Sequence, residues 1–192
     1  MQRLAGTDDL TGLCNLRSFE STLLTTVRRA QACRTPVSML VLDVDGLKQI
    51  NDAHGHLAGA EAVREVGHII AGTLVGRAVA CRYGGDEFAI LIAASDVRSS
   101  HAAAERLRKA VENHAPILAG RRFPAGTLTI SVGIADYLPE RVRDPELVGE
   151  ELFSAADHAL YQAKRDGRNR VRLNANTTAM PQLQAEAGQT GC

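Results

Sequence analysis

The 192-residue sequence has no excess of either charge, its 22 basic residues being matched by 22 acidic ones. That balance excludes the strong positive field by which a general nucleic-acid or membrane-surface binder gathers its partner, and leaves room only for a local basic pocket. Long apolar runs are also missing. No stretch approaches the roughly 20 apolar residues that span a bilayer, and the opening MQRLAGTDDL lacks the apolar core of a secretion signal. These absences predict a cytoplasmic protein that engages neither nucleic acid nor membrane. Cys14, Cys33, Cys81 and Cys192 include no close-spaced pair, which argues against a zinc site or redox motif and predicts reduced thiols.

What is present is a globular balance, 45% apolar and 23% charged, in a length that suits one domain with a tail. NLRSFESTLLTTVRRAQA spaces Leu16, Phe19, Leu23, Leu24 and Val27 as a helix does, and PVSMLVLDVD is a dense apolar strand ending at Asp43 and Asp45. Asp45 is a candidate N-cap for a helix containing Leu47 and Ile50. AGAEAVREVGHIIAGTLV predicts a further amphipathic helix. RAVACRY and DEFAILIA predict two strands joined by Gly84 and Gly85, whose tolerance of positive φ suits a tight hairpin. A helix opening on an acid (DVRSSHAAAERLRKAVENH), a strand (GTLTISVGIAD), a helix between proline and glycine (PELVGEELFSAADHALYQAKRDG) and a short strand (RNRVRLN) follow.

That order predicts an α+β sandwich, a mostly antiparallel sheet with helices on one face. Residues 1–6 read as a lead-in, 7–173 as the folded unit and 174–192 as a disordered tail of small polar residues.

The acids at the strand ends carry the chemistry. If the strand of LDVDG neighbours the hairpin of GGDE, two carboxylate clusters meet at one sheet edge and form a hard-oxygen site suited to Mg2+. Taken alone, Asp43 or Asp86 reads as a solvated turn residue. Asp43, however, ends a strand that should be buried, where a carboxylate is costly without a cation or donors. Glu87 follows Asp86 along the strand, so its side chain should face the other way unless the turn twists the backbone. Lys164 and Arg168, four apart, should share one helix face. His54 and His56 lack a third ligand and read as structural.

Five blocks, DDLTGLCN, LDVDGLKQINDAHGH, RYGGDEF, TISVGIA and ADHALYQAKRDGRNRV, occur in an order and spacing that resembles the GGDEF family of diguanylate cyclases, from about Thr7 to Leu173. The resemblance implies a fold like the palm of nucleotide cyclases and polymerases. It also implies condensation of two GTP into cyclic di-GMP and two pyrophosphates by a homodimer, and a separate sensory partner able to pair the two copies. By the same resemblance Asp43, Asp86, Glu87 and the Val44 backbone hold two Mg2+ (or Mn2+) ions, with Asp43, Asp86 and Glu87 catalytic. Gly46, Leu47, Lys48, Gly84, Gly85, Lys164 and Arg168 surround the triphosphate, Asn51 meets the guanine edge, and His56 lines the base pocket.

Two positions depart from the family pattern. Ala60 stands where the family has an aspartate that accepts from guanine, which opens a relaxed-specificity reading with mixed adenine and guanine products. Glu61 is the neighbouring acid that could substitute. Val75 and Ala78 stand where many members have an Arg-x-x-Asp product site, so no product feedback through that site is expected. The runner-up readings are a catalytically silent nucleotide-binding regulatory module and a plain dimerisation domain.

Overall fold

The computed structural model describes residues 6–174 apart from Val75 and Arg77. Val75, most of the lead-in and the tail from residue 175 onward therefore lie outside the described residues. The elements run α1 (Leu16–Cys33), β1 (Val37–Val44), α2 (Leu47–Thr73), β2 (Ala78–Arg82), β3 (Glu87–Ala93) and α3 (Val97–Glu112). They continue with β4 (Ile117–Leu118), β5 (Arg121–Arg122), β6 (Ile130–Tyr137), α4 (Pro145–Arg165) and β7 (Val171–Leu173).

Five strands form one sheet in the order β2-β3-β1-β6-β7, antiparallel except where β7 joins β6. The short β4–β5 hairpin, which the sequence pattern did not disclose, turns through Ala119 and Gly120, both at positive φ.

Helices cover both faces of the sheet, where one face was expected. All eight residues of β1 are buried, and alternate ones enter different cores. Leu40, Leu42 and Val44 join Phe88, Ile90 and Val132 against Val63, Val66 and Ile70 of α2 and Leu107 of α3. Val37, Met39 and Val41 join Ala89 and Leu91 against Phe19 and Val27 of α1 and Leu152 and Leu160 of α4. A continuous apolar run such as SMLVL is the mark of a strand sealed on both sides, and that mark was in the sequence.

Helix caps follow residue chemistry. Asn15 accepts from the Ser18 N–H and Asp96 from the Ser99 N–H, while Asp144 precedes the proline that opens α4. Helix α2 begins at Gly46, held at φ 71°, and breaks its regular backbone at Gly55 (φ 85°, ψ 163°).

The closest helix–sheet approach is at Gly133 in β6. A Cβ built there would collide with the Ala156 carbonyl oxygen and the Leu160 nitrogen of α4. Both are backbone atoms that cannot swing aside, so Gly133→Ala is expected to push α4 off the sheet and lower stability by about 1–3 kcal/mol. Denaturant unfolding measures this, and a midpoint unchanged from the parent would refute the packing argument.

Candidate active site

Strands β1 and β3 pair with Asp43 directly opposite Glu87. The Val44 N–H donates to the Asp86 carbonyl oxygen at 3.2 Å, which makes Asp43 and Glu87 a non-hydrogen-bonded pair. In such a pair the side chains share a face and the Cα atoms lie about 4.5 Å apart. Glu87 thus faces the same side as Asp43, while Asp86 lies in the turn, because the strand begins only at Glu87. The charges of Asp86 and Glu87 both bear on Asp43.

The loop that brings them there is not a two-residue primed turn. Residues 83–86 lie between β2 and β3, and neither Gly84 nor Gly85 has positive φ. A longer loop reverses the chain without that geometry. The Tyr83 N–H donates to the Glu87 carbonyl at 2.8 Å, and the Arg82 guanidinium donates to the Gly85 carbonyl at 2.8 and 3.2 Å. Arg82 also pairs with Asp8 at 3.6 Å, which ties the loop to the N-terminal turn. A Cβ on Gly84 would press on the Glu87 carboxylate, whereas Gly85 faces open space.

Asp43 is 8% exposed and receives the Lys164 ammonium at 2.8 Å from the last turn of α4. Burial pushes its carboxyl up to about 6; the hydrogen bond and charge of Lys164 oppose the shift, and the charges of Asp86 and Glu87 add to it.

Other expected residues fall around this edge. Arg168 does not share a helix face with Lys164. Helix α4 ends at Arg165, and Arg168 stands beyond Gly167 in the left-handed region (φ 61°), because the glycine that closes the helix also turns the chain. Lys48 and Arg168 are exposed, and neither side chain is bonded among the described residues. Asp45 is not the N-cap of α2. Its carboxylate instead accepts from the hydroxyls of Thr129 (2.9 Å) and Ser131 (2.7 Å) and from the Asn169 N–H (3.0 Å). The first turn of α2 follows Gly46 without a side-chain cap, so no capping side chain occupies the amides around Leu47 and Lys48.

Asn51 lies against Gly59 across the Gly55 break, so closely that a Cβ on Gly59 would collide with the Asn51 amide. Gly59 was missed in the sequence, although a glycine inside the helical run HLAGAEA was the available signal. Ala60 follows it and is half-buried. Glu61 is occupied elsewhere, accepting from the Ala119 N–H of the β4–β5 turn. His54 packs edge-on against Phe123, with ring centres 4.9 Å apart, and His56 is exposed. Ala78 begins β2 opposite Ile92.

Gly59→Ala is expected to displace the Asn51 side chain and lower stability by about 1–3 kcal/mol. Denaturant unfolding measures the cost, and an unchanged midpoint would mean that the Asn51 amide swings aside freely.

An antiparallel sheet wrapped by helices, with acids gathered at the β1–β3 edge beside a helix N-terminus, defines a palm-like domain of the nucleotide-cyclase kind. The match is more particular: the model of the family described as diguanylate cyclase, GGDEF domain, fits residues 5–170, and the chain belongs to that family. Diguanylate cyclase A of Treponema denticola is 34% identical over 174 residues, which cover 88% of this chain and 44% of the relative. The response regulator PleD of Caulobacter vibrioides is 36% identical over 168 residues, covering 88% of this chain and 36% of the relative. The chain thus spans less than half the length of these curated relatives. The crystal structure of the GGDEF domain of DgcB from Caulobacter crescentus, in complex with c-di-GMP, matches with a TM-score of 0.81 at 32% identity, over 91% of this chain and 98% of that one. Among the described residues no helix is long and apolar enough to cross a membrane.

Proposed function

We propose that residues 7–173 are the catalytic unit of a diguanylate cyclase, which joins two GTP into cyclic di-GMP with loss of two pyrophosphates. Each new bond forms when the 3′-hydroxyl of one nucleotide attacks the α-phosphorus of the other. The observation that carries this reading is the convergence of Asp43, Asp86, Glu87 and Lys164 at one sheet edge, next to the uncapped start of α2.

Among the described residues no group of three acid, histidine or cysteine side chains is placed to hold a metal ion by itself. Mg2+ commonly takes one or two carboxylates and completes its shell with substrate phosphates and water. Asp43, Asp86, Glu87 and the Val44 carbonyl are hard oxygen donors of the kind such a cation takes. Two Mg2+ or Mn2+ ions bound there would neutralise phosphate charge and stabilise the entering and leaving oxygens.

The chain's own residues do the rest. The amides of Gly46, Leu47 and Lys48 and the cations of Lys48, Lys164 and Arg168 hold the triphosphate, while Gly84 and Gly85 leave room for it. Asn51, with both donor and acceptor, meets the base edge beside Ala60, and His56 stands at the rim. One unit holds one nucleotide, so the reaction needs two copies face to face. A separate sensory partner that pairs the copies would raise their effective concentration and with it the rate.

A second reading is favoured by one observation. Ala60 offers the base no acceptor, and the neighbouring Glu61 is engaged with the Ala119 N–H, so discrimination against adenine is weakened. Incubation with Mg2+ and GTP, ATP or both, with products resolved by chromatography and mass, decides between the readings. Cyclic di-GMP alone supports the first, a mixed dinucleotide the second, and nucleotide binding without product a regulatory module.

A further inference from the structure

The buried carboxylate of Asp45, 9% exposed, has no role in the reaction just described. Its three donors come from β6, from the residue before it and from the turn after α4, and none from α2, at whose start it lies. That turn is unusual. Gly167, Arg168 and Asn169 have φ of 112°, 61° and 45°, so two consecutive residues with side chains sit in the left-handed region. Asparagine enters that region readily as a single residue, but arginine does not, and a consecutive pair is held there by its surroundings.

Here the restraint acts on Asn169 from two sides. Its N–H donates to Asp45 at 3.0 Å. Its side-chain amide donates to Glu112 at 2.6 Å and accepts from Arg108 at 2.8 Å, and Arg108 is itself bonded to Glu112 and Glu105 at 2.9 and 3.1 Å. Arg168, the residue before this clamp, is exposed, and its guanidinium is unbonded among the described residues. The two acids of LDVDG therefore hold the same basic segment: Asp43 grips Lys164, and Asp45 grips the backbone beside Arg168.

We propose that Asp45 is a positioning residue, which fixes the left-handed turn through the Asn169 N–H and so sets where the Arg168 guanidinium meets the triphosphate. This rests on the reading of Arg168 as a phosphate contact. A carboxylate suits the task because its two oxygens can be aimed by the hydroxyls of Thr129 and Ser131 and still accept a third hydrogen bond. Asp45→Asn can keep its one oxygen where it accepts from both the Asn169 N–H and the Thr129 hydroxyl, while its amide nitrogen donates to a Ser131 hydroxyl that turns to accept, and it should retain most function. Asp45→Ala keeps nothing.

A double-mutant cycle tests the assignment. Asp45→Ala and Arg168→Ala are each expected to raise the KM for GTP about tenfold, and the pair together no more than either alone. Additive effects, near a hundredfold, would overturn the proposal, because Asp45 would then act independently of Arg168. Hydrogen exchange gives a readout that needs no activity: the Asn169 amide should be protected in the parent and in Asp45→Asn and exchange fast in Asp45→Ala. Protection retained in Asp45→Ala would overturn the proposal. If Asp45→Ala does not fold, Thr129→Val removes one of the hydroxyls that aim the carboxylate and carries the same measurements. A parent chain that turns over no nucleotide would refute the functional reading alone, while amide exchange still decides the anchor.

Discussion

Asp43→Asn should cut dinucleotide synthesis by a hundredfold or more while leaving the free protein at least as stable as its parent at neutral pH. On the proposed reading Asp43 is an anionic ligand of a two-metal centre, and its loss would remove charge stabilisation where it develops, about 3 kcal/mol or more in the barrier. The stability effect has the opposite sign. The Asp43 carboxyl is raised from its ordinary value of 3.8 to about 6, chiefly by burial, so the folded protein holds the proton more tightly than the unfolded chain. Wild-type stability therefore falls as pH rises from about 4 through 6, a loss on the order of 3 kcal/mol from this group. An amide has no such loss, although Lys164 gives up a partner and turns to water. Denaturant midpoints for the two proteins should diverge as pH rises from about 4 to 6 and stay apart above it, in favour of the variant. A variant that is less stable than wild type at pH 8, or still active, would contradict this account of Asp43.

Ala60→Asp should raise the ratio of GTP to ATP turnover by about tenfold to a hundredfold, the value of a hydrogen bond to a charged acceptor facing a base that can donate to it. Adenine presents no donor at the matching ring nitrogen, so the new carboxylate should penalise ATP as it favours GTP. The position is suitable: Ala60 is half-buried, and its neighbour Gly59 lies against Asn51 across the Gly55 break. Glu61 cannot supply the missing acceptor without releasing the Ala119 N–H. Competition between the two nucleotides at equal concentration measures the ratio directly. If the ratio does not change, Ala60 is not at the base.

The acids at the sheet edge were legible because burial and charge conflict in them. A carboxylate at the end of SMLVL has to be compensated; the pairing of β1 with β3 adds Glu87 to the demand, and the last turn of α4 brings Lys164 to meet it. The strand and helix order was legible from apolar periodicity. Facts that depend on where a turn ends were not. The side of the sheet on which Glu87 stands is fixed by strand β3 starting at that residue and not at Asp86. Arg168 was placed on a helix because the effect of Gly167 on the next two residues is set by Asp45 and Asn169, which are 124 positions apart. The β4–β5 hairpin, two residues a side, is too short to show alternation. Asp45 shows that a residue type suited to capping can be claimed by a distant partner, here β6.

Gly133 touches no nucleotide, no metal ligand and no charge, yet it sets how near α4 lies to the sheet and hence how far Lys164 must reach to Asp43. An engineer moving the acids and the lysine onto another palm sheet would transfer every charged group and still fail without the bare backbone at Gly133 of β6, the strand beside the middle one. The transplantable unit is the charges together with the spacing, and the spacing is encoded by a residue with no side chain to recognise.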